Sequence, residues 1–209
     1  MSLAGISAQL AQRLRLASPA KLPKILLAGE PMLLQRCAPV DAAFHASDEF
    51  ENLVRSMKAV MDDGDNAMGI AAPQVGTAVQ VIAIQYKDAW RVEGEAASAL
   101  PLTFLVNPTW RATSKLISHE FEGCLSIPGV TAVVPRSVDI AVEALDLDMK
   151  PIKLLLQGWP ARVLQHEADH LEGRLYVERM LPRSFRFTSN AHHPLPDDLF
   201  ARKPRPGRA

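Results

Sequence analysis

Cysteine is scarce in this chain: two residues in 209, Cys37 and Cys124, stand in unlike surroundings, which excludes a disulfide framework. No apolar run approaches the roughly 20 residues that a membrane helix needs, and no signal-peptide pattern opens the chain. Neither sign of charge is in excess, since 23 Lys and Arg balance 23 Asp and Glu, so overall charge gives no case for binding DNA. Repeats are missing too. These absences lead to the expectation of a reducing, cytoplasmic setting of bacterial type, with no membrane partner. The first 29 residues hold no acid but carry Arg13, Arg15, Lys21 and Lys24, so an organellar transit peptide stands as the alternative.

What is present is enough apolar material for one core: 48% of the residues, in a chain of single-domain length. Ser47 is placed to cap a helix in which Phe50, Leu53, Val54, Met57, Val60 and Met61 recur at helical spacing up to Gly64. The acidic Asp62-Asp63-Gly64-Asp65-Asn66 that follows lacks EF-hand spacing and reads as a solvated loop. Extended segments come next, at about 78–86, 103–107, 130–134, 138–146 and 152–157. With few helices between them they should pair largely antiparallel, giving an α+β fold. From about residue 182 the chain reads as irregular and basic, with Arg183, Arg186, Arg202, Lys203, Arg205 and Arg208.

The chemistry concentrates in Gln165-His166-Glu167-Ala168-Asp169-His170-Leu171. Residues four apart sit one above the other on a helix, so His166 and His170 can share one ion while Glu167 reaches a water beside it. Pro160 suits the first turn of such a helix and Gly173 the left-handed position after its end. Two histidines leave room for a third ligand. A metzincin peptidase would place a histidine where this chain has Tyr176, and downstream of Glu178 only Asp197 and Asp198 offer carboxylates. The third ligand is therefore sought upstream, where thiolate, imidazole and carboxylate are all open in principle. Cys124 stands out there, in Glu122-Gly123-Cys124-Leu125-Ser126, as does the small-residue loop Met68-Gly69-Ile70-Ala71-Ala72-Pro73-Gln74-Val75-Gly76.

These three motifs, in this order, resemble those of the peptide deformylases, and the resemblance covers most of residues 25–185. The family's first loop usually begins with glycine two places before Gly69, where this chain has Ala67. The resemblance implies mainly antiparallel sheets wrapped around a central metal-binding helix, an N-terminal extension at 1–24 and a basic tail at 186–209. It implies hydrolysis of the formyl group from formyl-methionyl nascent polypeptides. Cys124, His166 and His170 would hold the metal, Glu167 would serve as acid and base, and Gln74 with the Leu125 backbone N–H would stabilise the oxyanion. Met68, Trp159 and Val163 would wall a methionine slot, with Gly69 and Gly123 offering main-chain bonds; Arg162 and Glu120 fall beside these positions and are less apolar than such a slot.

Donor chemistry alone makes zinc the default for such a site. The resemblance points to Fe(II), one ion per chain, with Zn, Ni or Co able to take its place in preparations. The ribosome is a candidate partner through the basic tail. Two rival classes stay in view: a zinc peptidase acting within chains, and a non-enzymatic module whose closed site would need a fourth ligand, for which His119 is the obvious spare.

Overall fold

The computed structural model describes residues 22–63, 67–90, 99–196 and 199. Most of the N-terminal extension, the acidic loop from Gly64 to Asn66, and the tail's Arg202, Lys203, Arg205 and Arg208 lie outside the described residues.

A short helix α1 (Ala42–His45) leads into α2 (Asp48–Asp63). The expected cap is present, since the Phe50 N–H donates to Ser47 Oγ at 3.2 Å. Asp48, Glu49 and Glu51 fill the first turn, where the helix dipole favours negative charge. The apolar stripe of α2 is buried from Phe50 to Met61.

Among the described residues eight strands follow: β1 (Gly69–Ala71), β2 (Val81–Tyr86), β3 (Leu100–Ala112), β4 (Ile117–Cys124), β5 (Ile127–Ser137), β6 (Asp139–Leu145), β7 (Pro151–Gln157) and, after helix α3 (Trp159–Leu171), β8 (Arg186–Phe187). They form a five-stranded sheet in the order β1-β2-β3-β6-β7 and a three-stranded sheet β4-β5-β8. Every pairing between these eight strands is antiparallel, as the shortage of intervening helices implies; an isolated bridge between Ala38 and Val79 is parallel.

Period-two alternation in β2 explains how one strand serves two layers. All six of its residues are buried. Val81 and Ala83 pack with Met57, Met61 and Phe104 on the α2 side, whereas Ile82 and Ile84 pack with Leu105, Ala161 and Leu164 on the α3 side. Helix α3 is thus enclosed. Of its thirteen residues only Trp159 and Ala168 escape full burial. Each large aliphatic side chain buried here contributes about 1.5–3 kcal/mol, so the helix is held chiefly by its surroundings rather than by its own propensity. Pro160 occupies its first turn, and Gly173, at φ +70°, turns the chain away after its end; a Cβ there would lie 2.7 Å from the Leu34 carbonyl oxygen.

Two features depart from expectation. β4 reads as polar in sequence, because Ser118, Glu120 and Glu122 alternate with Ile117, His119 and Phe121. Its strand character comes from pairing with β5, Ile117 against Ser137 through Glu122 against Ala132. The tail, read as irregular, is tied down at its start: Phe187 pairs with Val130 and Arg186 with Thr131. A strand of two residues carries no periodicity that a sequence could reveal.

Candidate active site

Helix α3 brings His166 and His170 to one face, and β4 ends beside it at Cys124. The register of β4 against β5 shifts between Glu122 and Cys124, so the strand bulges at Gly123. Bulges of this kind re-aim a side chain. Here the Cys124 Sγ lies 3.3 Å from His170 Nε2, and one donor atom from each of Cys124, His166 and His170 falls within 4.8 Å of the others. Among the described residues this is the group that could hold a metal, and His119 is not part of it.

The surrounding side chains fit a cation. Glu122 Oε2 accepts from His166 Nδ1 at 2.9 Å, which fixes the tautomer and leaves the other ring nitrogen free to ligate. Burial opposes charge on His166, yet hydrogen bonds to Cys124 and Glu122 outweigh it and hold the pKa well above the usual value. Burial drives His170 the other way, well below it, assisted by the His166 and Arg136 charges. His170 Nδ1 and Glu167 Oε2 are buried without a hydrogen-bond partner among the described residues.

Glu167 is 4% exposed, and burial is the main cause that pushes its pKa up to about 7. It packs against β1. A Cβ on Gly69 would collide with Glu167 Oε1 and approach Val163 Cγ1 to 2.8 Å, so only glycine allows strand and helix to sit this close. Under the role that the sequence resemblance implies for Glu167, Gly69→Ala is therefore expected to displace the carboxylate and lower kcat by roughly 100-fold, the scale set by misplacing a catalytic group by about 1 Å. A steady-state assay of the variant against the parent checks this. An unchanged kcat would show that the Glu167 position is not critical.

Gln74 is tied at both ends of its amide. Its Oε1 accepts from the Ala71 N–H at 2.9 Å, and its Nε2 donates to Ser126 Oγ at 3.1 Å and lies 3.5 Å from Cys124 Sγ. Behind the histidines runs a buried ionic network that sequence reasoning missed. Arg136 grips both oxygens of Glu122, at 2.8 and 2.9 Å, and reaches Asp169 at 2.6 Å. Arg162 meets Glu122 Oε1 at 2.7 Å and the Val134 carbonyl at 2.8 Å. Burial penalises the Glu122 charge, but the hydrogen bonds and charges of Arg136 and His166 prevail and bring its pKa to about 2. The only hint in sequence was position: Glu122 sits two residues before Cys124, and Asp169 one before His170.

A cleft of about 590 Å³ opens beside the cluster, lined by Met68, Gly69, Gln74, Gly123, Cys124, Leu125, Trp159, Val163, His166 and Glu167 among others. All the residues expected from sequence to bind substrate meet there. Arg162 also reaches the lining, but its guanidinium is spent on Glu122, Val134 and Ser118, 5.8 Å from the Trp159 ring centre. Glu120 is exposed and is not among the lining residues. β1 and β4 are both edge strands of their sheets, so the cleft runs between two rows of backbone groups able to accept an extended peptide.

The model of the polypeptide deformylase family matches residues 22–186. The chain belongs to this family. Its members are hydrolases that remove the N-formyl group from nascent polypeptides, and the fold described above is theirs. The chain is 34% identical over 181 residues to peptide deformylase 1A, chloroplastic/mitochondrial, of Arabidopsis thaliana, covering 83% of this chain and 67% of that one. It is 38% identical over 156 residues to peptide deformylase 2 of Pseudomonas syringae, covering 75% and 86%. Among solved structures, a Met-Ala-Ser-bound class I type b peptide deformylase from Acinetobacter baumannii superposes with a TM-score of 0.69 at 34% identity, covering 78% of this chain and all 100% of that one.

Proposed function

We propose that Cys124, His166 and His170 hold one divalent cation, and that the cleft beside it accepts formyl-methionyl chain ends and releases formate. The observation that carries this is the convergence of three ligand atoms within 4.8 Å next to a buried Glu167 carboxylate whose Oε2 has no hydrogen-bond partner among the described residues. A bound ion supplies Lewis acidity toward the formyl oxygen and a lowered pKa for water. Glu167 takes a proton from the attacking water and returns one to the leaving amine. Gln74 Nε2 and the Leu125 N–H donate to the oxygen on which negative charge develops, each such donor contributing about 3–4 kcal/mol. Met68, Trp159 and Val163 wall the methionine slot, and the Gly69 and Gly123 main chains hold the peptide extended. A formyl carbon bears only hydrogen, so a tight fit excludes acetylated ends by size.

One thiolate and two imidazoles can hold Fe(II), Zn, Ni or Co, with zinc the default on donor chemistry alone; Fe(II) is proposed here on the family resemblance. Cys124→Ala should remove one of three ligands and drop bound metal well below one ion per chain, with activity lost in parallel. Elemental analysis of the purified variant decides: full metal content would exclude Cys124 as a ligand.

For the setting, the bacterial-type cytoplasm is the reading favoured by relatives such as that of Pseudomonas syringae, an organelle being the alternative raised by the plant relative. Docking on the ribosome through the basic tail after residue 182, whose Arg202, Lys203, Arg205 and Arg208 lie outside the described residues, is proposed as a salt-sensitive contact to RNA. Truncation after residue 196 should weaken low-salt co-sedimentation with ribosomes, and unchanged sedimentation would remove the tail from that role.

A further inference from the structure

The methionine slot accounts for only part of the cleft, whose volume of about 590 Å³ is several times that of one side chain. Its lining also includes Glu122, Ile127 and Arg162 and continues through Phe121, Gly129, Val130 and Thr188. The last of these belongs to the tail. Thr188 Oγ1 donates to the Gly129 carbonyl at 3.3 Å, and β8 beside it is paired with β5 at Val130 and Thr131. The Arg186 guanidinium lies 3.8 Å from the centre of the Phe121 ring and donates through Nη1 to the His193 carbonyl at 2.7 Å. The tail therefore both contributes to this wall and backs it.

We propose that Thr188 and Arg186 form a subsite for the two peptide residues that follow methionine, and that it disfavours a basic side chain there. The inference rests on the deformylase reading of the cleft. An extended peptide lying between β1 and β4 carries its later residues out of the slot and along β4 and β5. Phe121, Gly129, Val130 and Thr188 include no acid to offset a lysine. The positive charge of Arg186 lies over the ring of Phe121, a lining residue, though Arg186 itself is not among the residues that line the cleft. Glu120 is exposed and not among the lining residues; Glu122 does line the cleft, but its carboxylate is already engaged by Arg136, Arg162 and His166.

The test compares formyl-Met-Ala, formyl-Met-Ala-Asp and formyl-Met-Ala-Lys on the full, metal-loaded chain. The parent should prefer the aspartyl over the lysyl peptide in kcat/KM. Arg186→Gln should reduce that ratio about threefold, the size of an exposed charge interaction, and Arg186→Lys should restore it. Thr188 is exposed, so Thr188→Trp can add bulk without disturbing the core. It should raise KM for both tripeptides relative to the dipeptide, with kcat preserved. A ratio untouched by Arg186→Gln, or a Thr188→Trp loss equal for all three peptides, overturns the subsite while leaving deformylation intact. If the parent hydrolyses none of the three, the functional reading falls and the subsite with it.

Discussion

Glu167→Gln should keep its ion and lose turnover by roughly 10²–10⁴-fold, the range expected when a positioned acid and base is removed. The carboxylate is not one of the three clustered ligand atoms, so metal content should match the parent. The same substitution has a stability consequence of defined sign. Burial raises the folded pKa of Glu167 from 4.5 to about 7, so the metal-free fold prefers its neutral form. Stability associated with that preference is complete below pH 4.5 and is lost as pH rises through 7. Glutamine is neutral at every pH. Metal-free Glu167→Gln should therefore match the metal-free parent in mild acid and exceed it above neutrality, by up to about 3 kcal/mol. Thermal melts of the two proteins across pH check this, and parallel curves would mean that the carboxylate is not strained by burial.

The second large effect lies behind the site. Glu122→Ala strips the paired carboxylate from Arg162 and one of two from Arg136, which keeps Asp169; these arginines are 2% and 4% exposed, and His166 Nδ1 is left without its acceptor. Breaking a buried ion pair by removing one partner costs about 3–5 kcal/mol, more than most point substitutions. Loss of a carboxylate that orients a ligating histidine lowers metal affinity by roughly 10–100-fold. Denaturant unfolding and metal titration should show both losses, and Glu122→Gln, which keeps an acceptor, should lie between alanine and parent. The pH dependence follows from the depressed pKa. The stabilisation is present above 4.5 and decays as pH falls toward 2, so the parent should lose stability in that window while Glu122→Ala changes less. Equal stability of parent and alanine variant at neutral pH would remove the network from the account.

The difference between what sequence disclosed and what it hid follows from how each feature is encoded. Helices α2 and α3 were legible because their burial is periodic and local: Ser47 caps one, while Pro160 and Gly173 bracket the other. The meeting of Cys124 with His170 joins residues 46 positions apart, and it was reached through the order of three motifs rather than by any local rule. β4 escaped notice since its inward Glu122 looks like a surface residue until Arg136, 14 positions on, is seen to neutralise it. Arg162 looked out of place beside an apolar slot for the same reason. Its charge is answered by Glu122, 40 positions away. Short pairings such as Val130 with Phe187 depend wholly on a neighbouring edge, and nothing in two residues announces them.

The central claim is that one metal-bearing cleft removes formyl groups. Formate release from formyl-Met-Ala-Ser, followed together with the metal content of the same sample, tests it most directly. The account predicts one formate for each free methionine amine produced, at a rate proportional to bound ion up to one per chain, with unblocked Met-Ala-Ser left uncut. A fully metallated sample that releases no formate, or one that cleaves the unblocked peptide between residues, would contradict it.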